Sequence, residues 1–301
     1  MIQYAQGDIN DFISTAGNMA FPAYVIRGSS RTLMVDAGVN LLGPLYIESL
    51  NRIIGGSESL DYLFLTHSHY DHVGSMPYLK RKIPNLKTGG HERISQLMSK
   101  KSVLDHMNLL GGSYADAFGH IPGNEDVSIS ASTLDIHLQD GDIIDLGGIT
   151  CRVIATPGHT RDSVSYFIPE ARALFCGEAL GIPEGENGSY IQAEFVSSYY
   201  EYLASIENLI SLEPEIIGLG HVWVFTGDDA RRYMEDSYRA TGEFKDLIGQ
   251  YLDRASGDVG SAIELMMVNE YDKKGIIKQE RNAYLANLSA QVRLVSEMRN
   301  M

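Results

Sequence analysis

Three imidazoles and one carboxylate fall within six residues of this chain, in His67-Ser68-His69-Tyr70-Asp71-His72, directly after the apolar run Leu63-Phe64-Leu65. Imidazole nitrogen and carboxylate oxygen together suit zinc, iron(II) or manganese, since borderline divalent cations accept both donors. Ligands at alternate positions, followed by an adjacent Asp-His pair, can point from one short loop toward two neighbouring ions. Three further candidates stand downstream, each just past a short apolar run. His159 lies in Thr156-Pro157-Gly158-His159, where Pro and Gly enforce a turn after the β-rich Thr150-Cys151-Arg152-Val153-Ile154-Ala155. Glu178 follows Ala173-Leu174-Phe175-Cys176-Gly177, and His221 follows Glu215-Ile216-Ile217-Gly218-Leu219-Gly220. Ligands on loops fixed by strand ends are how a rigid scaffold holds a metal within tight tolerance.

The elements that must position these residues alternate between strand and helix. Ala23 to Arg27, Thr32 to Val35 and Tyr62 to Leu65 read as strands, with helices over Leu42 to Ile54 and Ser75 to Lys82. The second half repeats the theme, with strands near Leu134 to His137, Ile143 to Leu146, Ile149 to Ile154, Val164 to Ile168 and Ala173 to Cys176. Between them, His91 to Ser130 reads as helical stretches broken at Gly111-Gly112 and Pro122-Gly123-Asn124, an insertion over the active-site face. His91, His106, His120 and His137 lack ligand spacing and are assigned to surface or structure, with His106 and His120 the two able to enter a substrate pocket. In the C-terminal quarter, Asp228-Asp229 can cap and charge-stabilise a helix running through Arg231, Tyr238 and Phe244 to Tyr251. Leu285, Leu288, Val292 and Val295 recur at helical spacing in the last segment.

The ordered ligand set resembles the metallo-β-lactamase superfamily, whose pattern is His-x-His-x-Asp-His, a Gly-His turn, a bridging acid and a last histidine. The resemblance spans about residues 20 to 225. It implies an α/β fold, the αββα sandwich, with residues 1–227 as catalytic core and 228–301 as a helical C-terminal extension packing on that core as a lid. It also implies two divalent metal ions, zinc or else iron or manganese. His67, His69 and His159 would hold the first, Asp71, His72 and His221 the second, and Glu178 would bridge both. Asp36, at the end of Leu33-Met34-Val35-Asp36, matches a family acid whose role is to support a ligating histidine. One departure stands out, because the bridging position is normally Asp. The extra methylene of Glu178 moves the carboxylate by about one carbon–carbon bond, a shift that matters on the scale of a preorganised site. Glu178 bridging two ions, binding one, and leaving the second site weak are therefore all open.

Within the superfamily, His69-Tyr70-Asp71-His72, Pro77-Tyr78-Leu79, Leu174-Phe175-Cys176-Gly177-Glu178-Ala179-Leu180-Gly181 and the helical C-terminus are similar to the hydroxyacylglutathione-hydrolase-like branch, and most to its PqsE-type thioesterases. The branch implies hydrolysis of a thioester or carboxylic ester of a small molecule, with Asp71 as the catalytic residue that orients the attacking hydroxide. Lactones and phosphodiesters are the runner-up substrates. A regulatory or binding protein that keeps the metal site is the alternative of a different class. A β-lactamase is disfavoured by the carboxylate at 178, and a flavodiiron oxidoreductase by His69, where that group would place Glu. In this branch the C-terminal helices roof the site, which makes Tyr190, Phe195, Tyr199 and Trp223 candidate pocket residues.

Composition bounds these expectations. A chain of 301 residues with 44% hydrophobic content can bury a core large enough for one αββα domain. No stretch approaches 18 uninterrupted apolar residues, and Met1 to Asp8 has neither the basic nor the apolar region of a signal peptide, so a cytoplasmic protein away from membranes is expected. Cys151 and Cys176, the only cysteines, lie in apolar strand-like contexts and read as buried reduced thiols. A net charge of −15 disfavours nucleic acid as substrate. The short basic runs Lys80-Arg81-Lys82, Lys100-Lys101 and Lys273-Lys274 read as solvated faces, although a patch beside the site could meet the phosphates of coenzyme A. A homodimer is compatible with all of this.

Overall fold

The computed structural model describes residues 7–300; of the N-terminal stretch read as leader-free, Met1 to Gln6 lie outside the described residues. The first half comprises β1 (Ile13–Gly17), β2 (Pro22–Arg27), β3 (Thr32–Val35), α1 (Gly43–Ile54), β4 (Tyr62–Phe64), α2 (Tyr70–Val73), α3 (Met76–Lys82), β5 (Lys87–Gly90), α4 (Glu92–Met98), α5 (Lys101–Gly112), α6 (Ala115–Phe118) and β6 (Ile136–His137). The second comprises β7 (Ile143–Asp145), β8 (Thr150–Ala155), β9 (Val164–Ile168), β10 (Ala173–Phe175), β11 (Ile182–Glu184), β12 (Tyr190–Gln192), α7 (Tyr199–Ser211), β13 (Ile216–Gly218) and β14 (Val224–Thr226). Three helices follow, α8 (Asp228–Arg254), α9 (Val259–Met266) and α10 (Arg281–Arg299). The strands form two six-stranded sheets, ordered β1-β2-β3-β4-β5-β6 and β14-β13-β10-β9-β8-β7, with β11 and β12 as a separate hairpin.

Both sheets are covered on two faces, and the period of two along each strand divides its side chains between different cores. Tyr24, Ile26, Leu33, Val35 and Phe64 of the first sheet turn toward the second, where they share a core with Val153, Tyr166 and Phe175. Their alternates Ala23, Val25, Met34 and Leu63 pack outward against Tyr46 and Leu50 of α1, Leu79 of α3 and Ile94 of α4. On the far side, Ile154, Phe167, Leu174 and Ile217 pack against Tyr202 of α7, Ile248 of α8 and Leu288 of α10. The result is the expected αββα layering, with the C-terminal helices sharing one continuous core with the second sheet. No helix among the described residues is long and apolar enough to cross a membrane.

Several element limits differ from the sequence reading for physical reasons. The chain enters α1 through a single 3-10 turn at Asn40–Leu42, and Pro44 sits in the first turn, where its missing N–H costs no helical hydrogen bond. The strand β1 has no apolar alternation to signal it; it hides Ser14 and Thr15 by hydrogen bonds such as Ser14 Oγ to Asp8 Oδ1 at 2.5 Å. The hairpin β11–β12 and the strand β14, of three residues each, were also absent from the sequence reading, being too short for periodicity to register. The helix α5 takes in Gly111-Gly112 as its last two residues and ends there, as the sequence reading expects. Asp228 and Asp229 occupy the first turn of α8, where they favour the helix dipole, but Gly227 is the N-cap and no side chain caps that end.

Candidate metal centre

Four chain segments at strand ends bring all seven candidate ligands together. One donor atom each from His67, His69, His159 and Glu178 lies within 4.8 Å of the others, and Asp71, His72 and His221 form a second such set. Strand register explains part of this convergence: β10 and β13 run parallel with Phe175 opposite Gly218, so Glu178 and His221 leave the sheet side by side. The backbone at the turns is specialised. Gly177 adopts φ +52°, and a Cβ there would stand 2.7 Å from Thr66 Oγ1. Gly158 adopts φ +132°, and a Cβ would stand 2.3 Å from the Tyr202 Cα. Any larger residue before Glu178 or His159 would push those ligands out of line.

Glu178 joins the two sets. Its Oε2 lies 2.6 Å from His159 Nε2, 3.4 Å from His67 Nε2 and 3.9 Å from His69 Nδ1. Its Oε1 lies 3.2 Å from His221 Nε2, which in turn is 3.5 Å from Asp71 Oδ2. The longer arm of glutamate therefore reaches both sets from the position where the sequence pattern called for aspartate.

For four of the five candidate imidazoles, the inward nitrogen is aimed by a bond on the opposite side of the ring. Nδ1 of His159 donates to the Glu194 carbonyl at 2.8 Å, and Nδ1 of His221 to the Ala20 carbonyl at 2.9 Å. Nδ1 of His72 bonds Asp36 Oδ2 at 2.9 Å, while Nδ1 of His67 meets the Thr66 hydroxyl at 3.1 Å. Asp36 is the hub, since its carboxylate also accepts from the Thr66 backbone N–H at 2.8 Å and from the Thr66 hydroxyl. It does so from a left-handed backbone, φ 64°, a conformation costly for a residue with a Cβ and held here by the bonds it makes. These partners assign the tautomers: the outer nitrogen carries the proton and the inner one offers a lone pair.

The donor set then fits a divalent cation. His67 Nε2 and His72 Nε2 are buried without any hydrogen-bond partner, and His69 Nδ1 faces His159 Nε2 at 3.0 Å. Lone pairs and carboxylate oxygens packed this closely, with their protons committed elsewhere, are stable only around positive charge. The charges of the cluster's own side chains pull its members in different directions. Burial and the neighbouring imidazoles hold His67 well below the usual histidine range. Burial would raise the Glu178 carboxyl, but His159 and the other imidazoles outweigh it and hold the group well below the carboxylate range. His72 rises against burial because Asp36 faces it, and His221 is pushed up to about 10 against burial by Glu178 and Asp71.

Two cavities open on this cluster. The first, about 400 Å³, passes Asp71, Glu178 and His221 between Phe21, Tyr114 and Trp223. The second, about 590 Å³, runs from His69, His159 and Asp71 along α4 and α5, so the segment expected to lie over the active-site face does line it. Among the four candidate pocket residues, Trp223 lines the first cavity, its indole N–H bonded to the Pro183 carbonyl at 3.0 Å. Tyr190, Phe195 and Tyr199 line neither, which corrects their placement in the pocket. Phe195 and Tyr199 are core, stacked edge to face in the layer beneath α8, and Tyr190 sits on the β11–β12 hairpin beside that helix. Their aromatic area is satisfied by burial against neighbours that sequence spacing did not reveal.

Of the remaining histidines, His106 lines the second cavity, His91 accepts the Arg93 N–H at the N-terminus of α4, and His120 and His137 are exposed. The basic runs are largely paired, Lys80 with Asp135, Lys82 with Glu125, Lys101 with Asp105 and Lys274 with Glu270. Sequence reasoning missed Glu194. Its carbonyl orients His159, its carboxylate accepts from Asn287 of α10 at 3.1 Å, and burial beside Glu178 pushes its pKa well above the carboxylate range. No local motif marks it, and only the fold brings it to the site.

The profile of the metallo-beta-lactamase superfamily matches residues 22–221, from the first residue of β2 to the last candidate ligand. That is well over half of the chain, so the chain belongs to this superfamily, whose fold implies divalent metal binding. It is 29% identical over 213 residues to the metallo-beta-lactamase fold-containing protein ST1585 of Sulfurisphaera tokodaii, covering 68% of this chain and 76% of that protein. It is 28% identical over 173 residues to a hydroxyacylglutathione hydrolase of Bradyrhizobium, covering 58% of this chain and 52% of that protein, about half its length. A solved metallo-beta-lactamase family structure, TTHA1429 from Thermus thermophilus, superposes with a TM-score of 0.65 at 16% identity, covering 100% of this chain and 93% of that one. At that identity the likeness is one of fold alone.

Proposed function

We propose that this metallo-β-lactamase superfamily member is a metal-dependent hydrolase that cleaves a thioester or carboxylic ester of a small molecule. The observation that carries the reading is Glu178, whose two carboxylate oxygens face two separate imidazole sets. His67, His69 and His159 would hold one ion, Asp71, His72 and His221 the other, and Glu178 would touch both. Divalent ions so held acidify a water and polarise a carbonyl. The chain's own residues do the rest. Asp71 faces both cavities, so its carboxylate is placed to take a hydrogen bond from the attacking water and to hold a proton during attack. Trp223, Phe21 and Tyr114 wall off the first cavity and limit water at the reacting carbonyl.

A side-chain nucleophile is not needed, and the nearest thiol is unsuited to the role. Cys176 is buried, and burial pushes its thiol far up from its ordinary range. Membership of a hydrolytic superfamily and a relative named hydroxyacylglutathione hydrolase support acyl transfer to water. A PqsE-type thioesterase is the finer form of this reading, supported by the residue motifs alone. The pairing of the surface lysines supports a small molecule over nucleic acid. Two buried free thiols support a reducing, cytoplasmic setting.

The test joins metal content to turnover. The protein purified without chelator should carry one to two equivalents of zinc, iron or manganese, and Asp71→Ala should lower thioester or ester hydrolysis at least about a hundredfold. Less than about half an equivalent after attempted reconstitution would end the metal-site reading. Activity indifferent to both chelation and Asp71→Ala would end the mechanism. A metal-replete protein inactive on a broad ester and thioester panel would favour the binding-protein alternative.

A further inference from the structure

Resting on the hydrolase reading, the geometry points to the second cavity as a subsite for an amphiphilic anion, in which α4 and α5 receive an aliphatic segment while Arg93 and Arg161 pair its negative group. The two guanidiniums come from different elements, α4 and the turn just after His159, yet both line the cavity that ends at His69, His159 and Asp71. Neither guanidinium makes an ion pair or hydrogen bond with any described residue, in a chain that carries 39 acidic against 24 basic side chains. Compare Arg31, Arg172, Arg281 and Arg299, each of which pairs with an acid. Two guanidiniums left unpaired beside a ligand cluster are free to take a carboxylate or phosphate in the two-pronged geometry that arginine favours.

The wall between them is apolar. Val103, Met107 and Leu110 stand at helical spacing on one face of α5, and Leu97 of α4 joins them. Val103, Leu110 and Leu97 remain half-buried where they face the cavity, across which Ala283 and Ala286 of α10 also line it. The acid on this wall outside the ligand cluster, Asp162, is 1% exposed, so away from that cluster the charge offered to a ligand is cationic. A volume of about 590 Å³ falls within the range of small-molecule sites. The first cavity differs in make-up, with Glu184, Glu194 and Glu280 on its walls beside one cation, Lys278, and no arginine. The anion can belong to the acyl chain, as a carboxylate, or to the leaving group, as the phosphates of a coenzyme.

Binding, read without turnover, tests the subsite on the protein as purified with its metal. By isothermal titration, n-octanesulfonate should bind at least tenfold more tightly than octan-1-ol, and in R93Q/R161Q that preference should fall below threefold. Because neither guanidinium bonds to a described residue, the double variant loses no hydrogen bond or ion pair among the described residues. Leu110→Gln should weaken both probes at least about threefold. Free coenzyme A is the second arm. Guanidinium-dependent binding of the sulfonate assigns the anion to the acyl chain, and guanidinium-dependent binding of coenzyme A assigns it to the leaving group. If neither probe responds to R93Q/R161Q, the subsite is overturned. A protein that shows the sulfonate preference but hydrolyses no thioester keeps the subsite and loses the hydrolase reading; hydrolysis without the preference does the reverse.

Discussion

Shortening Glu178 by one methylene is the sharpest perturbation of the centre. In the structure Oε2 contacts His159 Nε2 at 2.6 Å while Oε1 contacts His221 Nε2 at 3.2 Å, so both sets are reached from one side chain. Glu178→Asp withdraws the carboxylate by about 1.5 Å, three times the positional tolerance of roughly 0.5 Å that a preorganised site allows. The backbone cannot follow, because Gly177 already lies against Thr66 and Gly220 donates its N–H to the Gly177 carbonyl at 3.0 Å. One set therefore loses its carboxylate. Glu178→Ala removes the negative charge from between both sets and leaves His67 Nε2 and His159 Nε2 without an anionic neighbour. Second-metal affinity should fall at least about tenfold in the aspartate variant, a change of about 1.4 kcal/mol, and further in the alanine variant. Chelator-competition titration of the three proteins side by side, with circular dichroism to confirm that each is folded, reads the effect. Equal stoichiometry and affinity in all three would remove Glu178 from the centre; stronger second-metal binding in the aspartate variant would show that it does not bridge.

Three further outcomes follow from other parts of the molecule. Asp36→Asn should lower metal affinity about tenfold to a hundredfold and destabilise the fold by about 1.5–3 kcal/mol, since the amide cannot accept from Thr66 N–H, Thr66 hydroxyl and His72 Nδ1–H together; wild-type metal affinity and melting temperature would refute the hub assignment. Truncation before Asp228 should expose Phe225, Leu174 and Ile217, each worth about 1.5–3 kcal/mol of buried apolar surface, and should cost solubility as well as activity; a soluble, fully active truncated protein would show that α8–α10 form no lid. Burial would raise the Asp135 carboxyl, but it accepts from the Thr88 N–H, the Thr88 hydroxyl and Lys80, which together outweigh burial and hold it below the ordinary aspartate range. A depressed acid stabilises the fold fully above its unfolded pKa and loses that contribution as pH falls through the folded value. Asp135→Asn should thus lower the melting temperature at pH 7, and the difference should shrink as pH falls through the folded-state value of Asp135; a difference independent of pH would refute this origin.

The centre was legible in the sequence because its chemistry is local. His67 to His72 lie on one short loop and helix, and His159, Glu178 and His221 each follow a turn glycine past an apolar run, so residue type and punctuation identified them before any packing was known. The layering was legible for a related reason. Alternation in β2, β3 and β9 divides side chains between an inner and an outer core, and that pattern is written residue by residue. The cavity walls were not. Phe195 and Tyr199 have the composition of pocket residues, yet the neighbours that bury them, Tyr202, Phe244 and Lys245, are recruited by helix packing between α7 and α8. Conversely, Arg93 and Arg161 stand 68 positions apart with no shared motif, and only the placement of α4 beside the turn after β8 puts both on one cavity. Catalytic chemistry is specified by residue identity at strand ends, whereas substrate choice is specified by which distant segments the layers bring to those ends. Substrate probes directed at α4 and α5 therefore discriminate among functions of this chain more sharply than further substitution of its histidines.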